Sequence, residues 1–106
     1  MKRNDVRVEK KLMVNLSDDG FDCLGLTNNL SKYGMCVNSK TAFSNQKEIE
    51  LSIAVPSGVF DLKGEVMWCK NIGEIENNTP EAIGIKIIEA PPDYLNYVDY
   101  IRHITH

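Results

Sequence analysis

Glu48-Ile49-Glu50-Leu51-Ser52-Ile53-Ala54-Val55 alternates without a break, and Pro56-Ser57-Gly58 then turns the chain. A period of two sets Ile49, Leu51, Ile53 and Val55 on one face of a strand and Glu50, Ser52 and Ala54 on the other. The first face is a core face. Val59 to Lys70 returns as a long strand, with Phe60, Leu62, Gly64, Val66 and Trp68 on one side and Val59, Asp61, Lys63, Glu65, Met67 and Cys69 on the other. Upstream, Lys11 to Leu16 and Phe21 to Asn28 read as a hairpin, joined by Ser17-Asp18-Asp19-Gly20, where glycine makes positive φ cheap. Asn29 to Gly34 breaks the pattern before a short third strand, Met35-Cys36-Val37, and Ser39 to Lys47 is a polar connection. Downstream, Asn71 to Pro80 reads as a loop and Glu81 to Ile88 as the last strand. Pro92 suits the first turn of a helix running to about Ile104, with Tyr94, Leu95, Val98, Ile101 and Ile104 in one stripe that should pack on the sheet. Short β-rich runs between Gly, Asn, Asp and Pro clusters mark an all-β domain.

A chain of 106 residues, 42% hydrophobic and 25% charged, has material for one core. No apolar run approaches the roughly 18 residues that span a bilayer, and Met1 to Lys11 lacks a secretory apolar stretch, so a cytoplasmic protein without membrane insertion is expected. Cys23, Cys36 and Cys69 lie inside apolar strand patterns and form no CxxC pair, which reads as reduced core thiols. His103 and His106 find no third ligand at a suitable spacing, so no metal is expected; no Ser/His/Asp or Cys/His constellation suggests an enzyme.

The net charge of −3 is unevenly spread. Residues 1–11 hold Lys2, Arg3, Arg7, Lys10 and Lys11 against Asp5 and Glu9, a sum of +3, which leaves −6 for the rest. A cationic arm on an acidic body suits a small anionic ligand better than a nucleic-acid polymer tracked across a whole face.

Two polar signatures stand out. Arg3-Asn4-Asp5-Val6-Arg7 pairs arginines at i and i+4, whose planar forks fit phosphate oxygens or the O6 and N7 acceptors of guanine. Alone, the pair also reads as two solvated surface arginines. Asn29-Leu30-Ser31-Lys32-Tyr33-Gly34 places two short polar side chains around a turn, with Gly34 where positive φ or close main-chain approach is needed. Alone, this is equally an ordinary turn that satisfies its own backbone.

Together, with one hairpin between them, the signatures resemble the RxxxR and Asp/Asn-x-Ser-x-x-Gly motifs of the PilZ domain, a family that binds the bacterial second messenger cyclic di-GMP. The resemblance extends to Gly64-Glu65-Val66-Met67-Trp68, to Ala82-Ile83-Gly84-Ile85-Lys86-Ile87 and to the terminal helix. It implies a six-stranded antiparallel β-barrel with a C-terminal helix. On that pattern residues 1–106 are one domain, with an arm over 1–10, the barrel over 11–89 and the helix over 92–104. It also implies that Arg3, Arg7, Asn29, Ser31 and Gly34 hold cyclic di-GMP. Lys2, beside the first arginine, bears on whether one ligand or a stacked pair binds. Trp68 reads either as a core residue or as a platform on which a guanine stacks.

The expected function is a cyclic di-GMP sensor or adaptor, a monomer or weak dimer without a cofactor. Its arm is loosely held until the ligand bridges it to the Asn29-to-Gly34 turn and a different surface meets a protein partner. One rival is a PilZ-like protein–protein interaction module that takes no nucleotide. Another is a small barrel for single-stranded nucleic acid, which the acidic residues 12–106 disfavour.

Overall fold

The computed structural model describes residues 6–40, 43, 46–71 and 81–104. In chain order the elements are β1 (Val8–Glu9), β2 (Met13–Asp18), β3 (Phe21–Leu30), β4 (Gly34–Ser39), β5 (Glu48–Val55), β6 (Gly58–Asn71), β7 (Glu81–Glu89) and α1 (Pro92–Ile104). All pairings are antiparallel, in the order β3-β2-β5-β6-β7-β4, and β4 returns to β3, so the six long strands close into a barrel. Closure pairs each of the six long strands on both sides over much of its length, which limits the edge open to another chain. The predicted Asn71-to-Pro80 loop falls almost wholly outside the described residues.

The alternation read from Glu48 to Val55 holds: Ile49, Leu51, Ile53 and Val55 are buried. With Leu16, Leu30, Met35, Val37, Val66 and Ile83 they fill the barrel, each such side chain worth about 1.5–3 kcal/mol when buried. The β2–β3 hairpin turns through Asp19 and Gly20, both at positive φ (48° and 82°), as a two-residue turn matched to strand twist requires.

Helix α1 starts at the Pro91 carbonyl, with Asp93 in its first turn and Arg102 and His103 in its last, the charge order its dipole favours. Tyr94, Val98 and Ile101 are buried, and Phe60 meets the Tyr94 and Tyr97 rings at 6.0 and 5.8 Å. Desolvation, followed by the neighbouring Tyr100 phenol, raises Tyr97 above its usual 10.0. Ile104, expected in the buried stripe, is exposed as the last residue of the helix.

Three other expectations change. Trp68 does not join Val66 in the core. Val66 pairs with Ile85 and Trp68 with Gly84, so Met67 is an extra residue, and this bulge turns both Met67 and Trp68 outward, 46% and 44% exposed. The cysteines are half-buried thiols rather than core residues. Within the segment assigned to a loose arm, Val8–Glu9 pairs with Leu30 and Asn29, extending along the edge of β3 that β2 occupies farther up. Buried Thr27 fixes the intervening loop: its hydroxyl donates to Lys10 O at 2.6 Å and accepts from Leu12 N at 2.8 Å.

Candidate functional site

A second bulge prepares the site. Thr27 pairs with Val37 and Asn29 with Cys36, leaving Asn28 as the extra residue. Asn28 and Asn38 exchange amide hydrogen bonds at 3.0 and 3.1 Å on the outer face. The bulge also re-aims Asn29, whose Oδ1 accepts a hydrogen bond from Arg7 Nη1 at 2.9 Å. The two signatures therefore meet directly, whereas the sequence suggested elements that barely touch without ligand. Arg3 and Lys2 lie outside the described residues.

Ser31 is 1% exposed and holds the turn together from within. Its Oγ accepts from Tyr33 N at 3.2 Å and Gly34 N at 3.1 Å and lies 3.2 Å from Gly34 O, while its own N donates to Gly34 O at 2.8 Å. The Tyr94 hydroxyl donates to Ser31 O at 2.8 Å, and Lys32 Nζ reaches Asp99 at 3.2 Å, so α1 is fastened to the same turn. Ser31 is thus a positioning residue for the turn. Gly34 is required for space rather than for its φ. A Cβ there would lie 2.9 Å from Ile85 O and 3.1 Å from Arg7 Nη2.

Beyond the turn, β4 and β7 form the floor of a groove of about 400 Å³. Gly34 faces Lys86 on one rung and Cys36 faces Gly84 two residues along. Arg7 and Tyr33 flank the first rung, and the Trp68 indole lies across Gly84, where a Cβ would clash with the indole atoms Nε1, Cε2 and Cζ2. The groove therefore has a cationic end and an aromatic end over a floor that two glycines keep low. Arg7, Gly34 and Trp68 line it; Asn29 orients Arg7, and Ser31 sits beneath. Gly84 and Lys86 also line the groove, and sequence reasoning did not single them out. A glycine inside a strand, with a lysine two residues later on the same face, was the available signal.

A larger depression, about 680 Å³, lies over β5 and β6 and is lined by Glu50, Asp61, Lys63 and Glu89. Its acidic rim repels phosphate, so its size does not suit it to a phosphate ligand. Among the described residues no group of His, Cys, Asp or Glu is disposed to hold a metal, and no helix is long and apolar enough to cross a membrane.

A family model for the PilZ domain matches residues 1–102. No curated protein sequence matches significantly. Among solved structures, the Bacillus subtilis inhibitor of motility, MotI/DgrA, is similar with a TM-score of 0.79 at 16% identity, over 99% of this chain and 52% of its own. The PilZ domain of Escherichia coli YcgR with c-di-GMP gives 0.74 at 15% identity, over 95% and 88%. The MrkH–c-di-GMP complex of K. pneumonia gives 0.72 at 16%, over 95% and 51%. The chain spans about half the length of MotI/DgrA and MrkH. At these identities the likeness is one of fold.

Proposed function

The chain belongs to the PilZ domain family, whose members are cyclic di-GMP-binding effector domains and not enzymes, and on that premise we propose that it binds cyclic di-GMP in the groove over β4 and β7. One observation carries the reading. The Arg7–Asn29 hydrogen bond joins residues far apart in sequence and holds a guanidinium over Gly34, facing the Trp68 platform across one short floor. Arg7 and Arg3 supply planar donors for phosphate oxygens or a guanine edge, as the YcgR and MrkH ligand presents both. Asn29 fixes the Arg7 fork, Gly34 admits the ligand close to the main chain, and Ser31 keeps the turn in shape. Trp68 offers a face for a guanine, a stack worth about 1–3 kcal/mol, and Lys2 adds a secondary contact.

Arm ordering is narrower in this reading than the sequence alone implied. Val8 to Leu12 are already tied to β3, so closure on the ligand falls to the segment carrying Lys2 and Arg3. The closed segment changes the surface next to the groove, and a protein partner reads that change. The domain acts in the cytoplasm as a monomer or weak dimer. Isothermal titration with cyclic di-GMP tests the proposal: saturable heat that depends on Arg3 and Arg7 at tens of micromolar ligand is expected. Its absence would leave the interaction-module reading, in which the barrel meets a protein without nucleotide.

A further inference from the structure

Lys86 stands exposed on the outer face of β7, on the rung directly across from Gly34 of β4. Arg7 shares that rung, because Gly34 has no side chain and Arg7 Nη2 approaches to 3.1 Å of its would-be Cβ. Two cations from opposite ends of the chain thus line the same end of the groove. On the other edge of β7, Glu65 of β6 sits in register with Lys86, the placement from which cross-strand ion pairs form. Among the described residues Lys86 makes no ion pair with it or with any other acid. It lines the groove beside the guanidinium instead.

A groove lined by Arg7 and Lys86 presents positive charge to whatever enters it and so favours an anion. The second rung, where Trp68 covers Gly84, is two residues farther along the strand, roughly 7 Å away. That separation sets a charge-binding point and a stacking surface about one nucleoside apart. The two cations also differ in kind. Arg7 donates to Asn29, and its guanidinium holds its donors in one plane. An ammonium has three rotatable donors and meets a phosphate oxygen without a fixed plane.

We infer that Lys86 is a binding residue of the groove, pairing with a phosphodiester of the ligand at the Gly34 rung while a guanine lies on Trp68 at the Gly84 rung. This assignment rests on the nucleotide reading above and goes beyond it by adding a residue outside both sequence signatures.

Titration of the full chain with cyclic di-GMP at about 50 mM and about 500 mM salt, for the wild type and for Lys86→Gln, Lys86→Glu and Lys86→Arg, tests it. At low salt Lys86→Gln should bind about fivefold more weakly, Lys86→Glu more weakly still, and Lys86→Arg close to the wild type. The gap between wild type and Lys86→Gln should narrow at high salt, as a screened ion pair requires. Because Lys86 is exposed, the unliganded variants should melt with the wild type; Lys86→Arg, which keeps the charge, controls for any that do not. Saturable wild-type binding with Lys86→Gln within about twofold at low salt overturns the assignment and leaves the nucleotide reading standing. A wild type that gives no saturable heat overturns both.

Discussion

The groove over β4 and β7 is smaller than the depression over β5 and β6, about 400 against 680 Å³, yet it is the one that pairs cations with an exposed indole. Arg7, Lys86 and Trp68 look onto a floor lowered by Gly34 and Gly84. The larger depression over β5 and β6 presents Glu50, Asp61 and Glu89, with Lys63 Nζ 4.0 Å from Glu89 and Asp61 accepting from Ser52 Oγ at 2.8 Å. Volume says how much could enter; charge sign and exposed π-faces say what would stay. In one sheet the difference arises from small events, a bulge at Met67 and two glycines, rather than from a change of fold.

Arg7→Ala should break the contrast most deeply. Losing charge-assisted hydrogen bonds worth about 1.5–3 kcal/mol should weaken cyclic di-GMP binding by about tenfold or more, read by titration. The apo melting temperature should hardly move, because the side chain is exposed and such pairs add under about 1 kcal/mol. A large loss of apo stability would make Arg7 structural and remove the contrast at its root.

Gly84→Ala comes next, since a Cβ that clashes with the indole must push Trp68 off the floor. Affinity should fall by roughly the stacking contribution, about 1–3 kcal/mol, and the Trp68 emission of the variant should no longer respond to ligand. An unchanged affinity would show that the aromatic end plays no part. Ser31→Ala should act chiefly on stability, about 1–3 kcal/mol, by leaving the Tyr33 and Gly34 amides without their acceptor, and thermal melts would show it. Preserved stability would mean that the turn holds its shape without the hydroxyl. The smallest effect belongs to the acidic depression: Glu50→Gln with Asp61→Asn should leave nucleotide affinity within about twofold. A tenfold change there would erase the distinction between the two regions.

Much of the barrel could be read from the residues. Glu48 to Val55 and the Asp19-Gly20 turn declared themselves, because alternation and positive φ leave direct traces in residue type. Pro92 and the Tyr94–Val98–Ile101 stripe did the same for the helix. The bulges left no such trace. Met67, Trp68 and Cys69 are all apolar, so no polar residue marked where the alternation slipped and Trp68 left the core face. Asn28 and Asn29 are both polar, so which of them faces Arg7 was equally silent. Ser31 was expected to hold the ligand, but its burial goes with a partner, Tyr94, far along the chain, and a local motif cannot register that partner. Lys86 became visible only when pairing set it across from Gly34.

The hydrogen bond from Tyr94 to the Ser31 carbonyl bears on how the domain breathes. A four-residue turn at a strand end would ordinarily exchange its amide protons by fraying alone. In this chain the Ser31 and Gly34 amides are closed within a turn whose carbonyl is held by a buried phenol, and the next residue is paired to Asp99. The turn cannot open until the helix lifts. Its amides are expected to exchange with protection comparable to that of Val98 and Ile101, which native-state hydrogen exchange would show, so that a surface loop by position belongs to the interior by kinetics.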